Sequence, residues 1–317
     1  MSADPAVLVT GANGFIGRAL CAHLLARGKT VHGAARKTAA LPGGVRPFSV
    51  PGVDGSTPWK EALDGCSAVV HLAARVHMTR DVAADPAAEF RRVNTLGTLN
   101  LARQASAAGV RRFVFLSSIG VNGSQTSGCP FRAGDAVAPQ TPYARSKHEA
   151  EQELRGLAER TGMQVVIVRP PLVYGANAPG NFGTLLRWLR RGVPLPLGAV
   201  HNRRSLVSLD NLVDLLNVCL DHPAAANHTF LVSDGEDLST TDLLRRLGGH
   251  LGIPVRLLPV PASLMGWGAG LLGKKSLAQS LLGDLRIDIQ KTRHLLGWTP
   301  PIGVDEGLRR AARRGQP

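Results

Sequence analysis

A doubly wound α/β fold, a parallel sheet with helices on both faces, is what these 317 residues predict. Three observations carry that expectation. Short apolar runs with β-branched residues alternate with longer stretches of 3.6-residue periodicity through the first half of the chain. A Gly-rich turn follows the first of those runs directly. After Arg169-Pro170-Pro171 the texture changes to Pro- and Gly-rich segments, which marks a second, smaller unit. Strand, helix, strand repetition requires right-handed crossovers and therefore parallel pairing.

In chain order, strands are expected at Val7 to Thr10, Thr30 to Gly33, Ala68 to Leu72, Phe113 to Ser117 and Gln164 to Val168. Helices are expected at Ile16 to Ala26, Pro86 to Ala108 and Tyr143 to Arg160. Ala176 to Gly183 and Gly192 to Gly198 suit segments that cover a ligand, and Ser205 to Leu209 and Thr229 to Val232 return to strand character. The second unit is therefore expected to be discontinuous. Residues 1–170 with 205–235 form a nucleotide-binding domain, and 171–204 with 236–317 form a smaller α/β domain. Leu264 to Leu272 is apolar but ends at Lys274-Lys275, too short for a membrane span, and is expected to bury against the smaller domain.

With 44% hydrophobic and 19% charged residues the chain reads as globular. No run approaches the roughly 18 to 20 apolar residues of a membrane span, and the N-terminus carries no basic n-region, so a soluble cytoplasmic protein is expected. Cys21, Cys66, Cys129 and Cys219 are far apart, with no CxxC pair and no His at ligand spacing. Disulfide and zinc readings both fail, leaving buried or incidental thiols and no metal. The net charge of +14 raises nucleic acid, a membrane surface or a polyanionic small molecule as partners. Only 4% of residues are aromatic, which argues against a base-stacking platform and hence against a nucleic-acid partner. The densest run, Arg309, Arg310, Arg313 and Arg314, reads as a solvated helix end.

Val7-Leu8-Val9-Thr10 followed by Gly11, Gly14 and Gly17 is a strand, a tight turn and a helix start. Glycines there let the turn form and let backbone N–H groups approach a pyrophosphate at the helix N-terminus, where the macrodipole favours negative charge. This is the dinucleotide-binding, or Rossmann, arrangement. At the end of the second strand, where a carboxylate would accept a hydrogen bond from the adenosine ribose, stand Arg36 and Lys37. Two cations suit a ribose 2′-phosphate, so NADP(H) is favoured and NAD(H) is the alternative.

Tyr143 and Lys147 stand at i and i+4, on one helix face. A phenol with an ordinary pKa near 10 is a poor base, and a neighbouring ammonium would help to stabilise its phenolate. Ser118 sits at the C-terminal end of a sheet strand, where active sites of open α/β folds lie. The three positions resemble the triad of the short-chain dehydrogenases, and their separation resembles that of the extended, nucleotide-sugar branch, the NAD-dependent epimerase/dehydratase family.

That resemblance runs through nearly the whole chain. Gly11 to Gly17 looks like the family's GxxGxxG, and His71-Leu72-Ala73-Ala74 like its fourth-strand ending. Val93-Asn94 with Gly97-Thr98 is similar to the helix carrying its structural Asn. Arg169 to Gly175 resembles the loop packed on nicotinamide, Gly198 to Asn211 the segment delivering an Arg to the substrate diphosphate, and Leu295 to Pro300 the closing "LGW.P" element. The resemblance implies that Tyr143 is the general acid/base, Ser118 bonds the reacting oxygen, and Lys147 orients the nicotinamide ribose. It implies cofactor contacts at Asn13, Phe15 and Ile16 in the turn, and at Val53, Leu72, Ala73, Ala74, Asn94, Ser117, Pro170 and Val173 around it. Asn181 and Arg204 are implied as contacts to a UDP moiety, with the fork of Arg204 matched to a diphosphate and Arg203 as its stand-in. Asp210 reads as an N-cap, and the helices Pro86 to Ala108 and Tyr143 to Arg160 as a homodimer interface.

Departures from the family pattern narrow the reaction. Sugar 4,6-dehydratases carry an Asp-Glu pair after the Ser/Thr position, whereas this chain has Ile119-Gly120, which argues against dehydration. Arg36-Lys37, and Asn122 in place of the family Tyr, favour a 4-ketoreductase. The stretches Ser117 to Gly123, Gly180-Asn181-Phe182 and Asn202 to Val207 resemble a bacterial subgroup. That subgroup reduces UDP-2-acetamido-2,6-dideoxy-hexos-4-ulose to UDP-N-acetylquinovosamine or its C4 epimer for surface polysaccharide. A UDP-glucose or UDP-N-acetylglucosamine 4-epimerase is the alternative, and a non-catalytic NADP-binding assembly or RNA-binding protein a second.

Overall fold

The computed structural model of the protein describes residues 5–76, 85–271 and 275–313. Of the residues singled out above, Leu272, Lys274 and Arg314 lie outside these. In chain order the strands are β1 (Ala6–Thr10), β2 (Val31–Ala35), β3 (Arg46–Ser49), β4 (Cys66–His71), β5 (Arg112–Leu116), β6 (Gln164–Arg169), β7 (Leu172–Tyr174), β8 (Arg204–Ser208), β9 (Thr229–Leu231) and β10 (Asp237–Leu238). Seven of them form one sheet in the order β3-β2-β1-β4-β5-β6-β9, with every pair parallel. The order reverses at β1, so a crevice opens between the C-terminal ends of β1 and β4. All five residues of β1, β2 and β5 are buried. Covered on both faces, β1 and the Phe113 to Leu116 stretch of β5 read as continuous apolar runs rather than as alternation.

β3 is absent from the expected strands. Its sequence Arg46-Pro47-Phe48-Ser49 is largely exposed and carries a proline, which an edge strand with a single ladder neighbour tolerates.

The helices are α1 (Phe15–Ala26), α2 (Lys60–Leu63), α3 (Pro86–Phe90), α4 (Gly97–Ala107), α5 (Pro142–Thr161), α6 (Gly180–Arg190), α7 (Leu209–Asp221), α8 (Thr240–Leu251), α9 (Ala262–Leu271), α10 (Lys275–Leu282), α11 (Gln290–Leu296) and α12 (Val304–Ala312). α5 starts at Thr141, whose side chain accepts from the Ala144 N–H, and ends at Gly162 in the left-handed region at φ 73°. The single helix expected over Pro86 to Ala108 is instead α3, a π-helical stretch Arg91–Leu96, and α4. Local widening of this kind recurs at functional sites, and here it carries the buried Asn94.

β8 was expected with the cofactor domain. It pairs instead with β7 in parallel and β10 in antiparallel, in a separate three-stranded sheet, while α7 packs on α1 and β9 pairs with β6. Around this small sheet Phe182, Leu185, Leu206, Leu244, Leu247 and Leu308 form a core of their own. A buried carboxylate stitches the seam. Asp234 accepts from the Tyr174 hydroxyl (2.6 Å), the Ser208 N–H (2.9 Å) and Asn211 Nδ2 (2.7 Å), but burial outweighs these bonds and holds its carboxyl above the ordinary value. α7 is capped by Ser208, which accepts from the Asn211 N–H at 3.2 Å. Asp210, expected as the cap, lies in the first turn and faces Arg310.

The apolar segment starting at Leu264 also departs from expectation. Leu264 is 61% and Trp267 72% exposed on α9 rather than buried. Among the described residues no helix is long and apolar enough to cross a membrane. Cys21, Cys66 and Cys219 are buried, with thiols pushed up to about 12 by burial, and Cys129 is exposed. The basic C-terminal run is paired in part, since Arg309 and Arg310 both reach Glu306.

Candidate active site

The crevice at the strand-order reversal is a cavity of about 520 Å³. Gly11, Asn13 and Gly14 of the turn, Arg36, Val53 and Leu72-Ala73-Ala74 line it, so eight of the expected cofactor contacts converge on one space, while the others lie outside its lining. Gly11 has φ +65°, and a Cβ there would lie 3.0 Å from the Ala73 N. At Gly17 a Cβ would sit 2.1 Å from the Gly11 carbonyl oxygen. The turn is thus compact enough for main-chain N–H groups to reach a bound pyrophosphate at the start of α1. That geometry would suit a dinucleotide, with the turn Gly11 to Gly17 free to receive its diphosphate. Arg36 is exposed at the cavity edge. Lys37 is exposed outside the lining, and its carbonyl accepts from Asn13 Nδ2 at 3.1 Å.

The floor of the crevice is held by a hydrogen-bond chain. The Leu72 and Ala73 N–H groups donate to Thr10 Oγ1, each at 3.2 Å. Thr98 Oγ1 donates to the Asn94 carbonyl at 2.6 Å and therefore accepts from His71 Nε2 at 3.0 Å. His71 Nδ1 is then the acceptor of the Thr10 hydroxyl at 2.7 Å. Burial, with the Lys147 charge nearby, pulls the imidazole down to about 3, so it stays neutral in this one tautomer. Asn94 bonds both backbone groups of Arg75 (2.8 and 3.0 Å) and Ser146 Oγ (3.0 Å), tying the loop after β4 to α5.

Ser118 lies just past β5, where its Oγ accepts from the Gly120 N–H at 3.1 Å. The turn Ile119–Val121 rests on the start of α5, because a Cβ at Gly120 would lie 3.5 Å from that of Ala144. Tyr143, in the first turn of α5, has its ring 6.0 Å from Phe90. Lys147, one turn on, is 2% exposed, donates to the Leu116 carbonyl at 2.8 Å and lies 4.4 Å from the Phe115 ring centre. Burial pushes the Tyr143 phenol up to about 12 and pulls the Lys147 ammonium down to about 7 against the attraction of Glu151. Lys147 was expected to lower the Tyr143 pKa, but in the protein alone burial dominates both groups. A phenolate needs a further cation, which an oxidised nicotinamide ring supplies when bound.

A pattern matching the description "NAD dependent epimerase/dehydratase family" covers residues 7–233. The chain belongs to that family. It is 44% identical over 308 residues to the UDP-glucose 4-epimerase of Vibrio cholerae, covering 96% of this chain and 94% of that one. Its fold matches a UDP-glucose 4-epimerase of Thermotoga maritima solved with UDP-glucose, at TM-score 0.79 and 21% identity over 98% of each chain. It also matches the Bordetella bronchiseptica enzyme WbmG solved with NAD, at TM-score 0.77 and 22% identity over 98% of this chain and 93% of that one. These two likenesses show the fold.

Within this family member, a buried ionic cluster behind the triad went unnoticed in the sequence. Arg169 Nε donates to Glu151 Oε1 at 2.8 Å and Nη2 to Oε2 at 2.5 Å. Ser117 Oγ donates to the same carboxylate at 2.6 Å. Ser117 was expected at the cofactor, but its side chain turns to Glu151 instead. Arg169 Nη1 donates to Asn122 Oδ1 at 2.8 Å. Burial raises the Glu151 carboxyl, but the bonds from Arg169 and Ser117 outweigh it and hold the group below its ordinary value. The signal lay in spacing, since Glu151 is four residues beyond Lys147 on the inner face of α5. Pro170 holds the other side of the turn by accepting from the Ile119 N–H at 2.9 Å, and Val173 is half-buried in β7.

The two expected substrate contacts meet at the C-terminal end of α10. Asn181 Nδ2 donates to Ser280 Oγ at 3.4 Å, and Arg204 Nη1 donates to the Gly283 carbonyl at 2.8 Å. Burial lowers the Arg204 pKa, whereas Arg203 is exposed and 3.8 Å from Asp237. Arg204 is thus the inward member of the pair.

Proposed function

We propose that this protein is an NAD(P)-dependent UDP-sugar 4-epimerase acting on UDP-glucose or UDP-N-acetylglucosamine. The observation carrying this reading is the 44% identity to a UDP-glucose 4-epimerase across nearly the full length of both chains. Ser118 lies just past β5, and Tyr143 and Lys147 stand one turn apart on α5, which Asn94 ties through Ser146 to the cavity-lining Arg75. In this reading Tyr143 takes and returns the proton of the sugar C4 oxygen, Ser118 bonds that oxygen, Lys147 orients the ribose, and Arg204 with Asn181 holds the diphosphate.

The 4-ketoreductase favoured on sequence ranks second. Two observations support it: Arg36 at the cavity edge suits an exchangeable NADPH, and Asn122 is held by Arg169 where the family carries a Tyr. We also propose a nucleotide-binding domain and a smaller substrate domain with β8 at their seam, and a homodimer formed through α4 and α5. Purified protein given UDP-N-acetylglucosamine without added cofactor should isomerise it, with dinucleotide co-purifying. Loss of nicotinamide absorbance only with a UDP-4-keto-6-deoxy-N-acetylhexosamine and NADPH or NADH would replace the epimerase by the reductase.

A further inference from the structure

The excess positive charge is not spread evenly. From Arg160 to Leu209 there are seven arginines and no Asp or Glu, and from Leu243 to Gly283 three arginines and two lysines, again with no acid. These stretches hold a net charge of twelve, against fourteen for the whole chain. Both belong largely to the smaller lobe, and the fold stitches them together. The Leu195 N–H donates to the Arg256 carbonyl at 2.9 Å and the Leu258 N–H to the Leu195 carbonyl at 2.8 Å, while Ala199 bridges Pro261 just before α9 begins.

The edge so formed is apolar and cationic at once. Leu258 (51%), Leu264 (61%) and Trp267 (72%) are exposed on it. Arg187, Arg191 and Arg256 are exposed, and among the described residues none of them lies within ion-pair distance of a carboxylate. Many other surface arginines, such as Arg92, Arg246 and Arg309, are paired.

We propose that this edge of the smaller lobe docks on the surface of a bilayer rich in anionic lipid. α9 would lie in the interface with Leu264 and Trp267 inserted, and Arg187, Arg191 and Arg256 would meet the headgroups. An indole has an apolar body and a polar tip and prefers that boundary, and apolar insertion with headgroup attraction is what holds a monotopic surface in place. A second copy of the chain fits less well, because two such faces would bring like charges together. Nucleic acid accounts for the arginines but not for the exposed Leu258, Leu264 and Trp267. Asn181 opens α6 at the substrate end, whereas Arg187 lies toward the other end of that helix. The inference does not depend on which sugar is turned over.

Sedimentation with vesicles tests it. The intact protein should bind vesicles of phosphatidylcholine containing phosphatidylglycerol at low salt, and vesicles of pure phosphatidylcholine far more weakly. Replacing Arg187, Arg191 and Arg256 by Gln should weaken binding about a hundredfold, at roughly fivefold per arginine. Leu264→Ala with Trp267→Ala should weaken it at least about tenfold through lost apolar contact, with solution activity unchanged in both variants. No retention on anionic vesicles, or equal retention of all three proteins, would overturn the proposal. So would a salt-sensitive affinity for RNA exceeding that for vesicles, or a dimer that the Leu264 and Trp267 changes dissociate.

Discussion

Lys147→Met should make the cofactor-free protein more stable while removing its activity. Lys147 is 2% exposed and its ammonium is pulled from 10.5 to about 7. At about 1.4 kcal/mol per pKa unit, and with half a proton still bound at pH 7, this burial costs about 4 kcal/mol relative to the unfolded chain. Methionine keeps the stem volume and drops the charge. It also forfeits the bond to the Leu116 carbonyl, worth about 1 kcal/mol, which leaves a net gain of about 3 kcal/mol. An unfolding entropy of about 0.7 kcal/mol/K for a chain of this length converts that gain into a Tm rise of about 4 °C. Between pH 7 and 10.5 the unfolded chain binds more protons at this group than the folded one, so wild-type stability rises with pH relative to the variant and the gap closes. Thermal melts of both cofactor-free proteins at several pH values across that window measure this. A variant that melts below wild type at pH 7, or a gap independent of pH, would refute the reasoning.

Glu151→Gln should destabilise by about 3 kcal/mol, read from denaturant melts, because it strands the buried Arg169 guanidinium; an unchanged midpoint would mean that the pair contributes little. Gly17→Ala should weaken dinucleotide binding by about tenfold to a hundredfold, measured by titration calorimetry, since its Cβ would fall 2.1 Å from the Gly11 carbonyl oxygen. Tyr143→Phe should lower kcat by a factor of about 10² to 10⁴ with cofactor affinity kept, and residual wild-type turnover would remove Tyr143 as proton carrier. Arg36→Ala should weaken NADPH by about tenfold or more and leave NADH unchanged, and equal losses would show that Arg36 does not read the 2′-phosphate.

The cofactor half was legible because its chemistry is local. Gly11, Gly14 and Gly17 stand within seven residues, and the turn they form depends on little beyond the strand before and the helix after. β1, β4, β5 and β6 announced themselves because strands covered on both faces must be apolar throughout. β3 did not, since its residues face solvent. The π-helical break at Arg91–Leu96 was likewise hidden, because periodicity sees the apolar stripe and not which backbone carbonyl accepts each N–H.

By itself, then, the sequence determined the parallel sheet, the dinucleotide turn and the positions of Ser118, Tyr143 and Lys147, because each is written in residues close in the chain or in a regular period. Only the tertiary structure decided what surrounds them. Glu151 meets Arg169 across 18 residues, His71 meets Thr10 across 61, and segments 193–199 and 255–261 unite the acid-free stretches on one edge. Burial and charge at those sites are sums over neighbours distant in sequence, which is why the low Lys147 pKa and the exposed Trp267 could be read only from the folded chain.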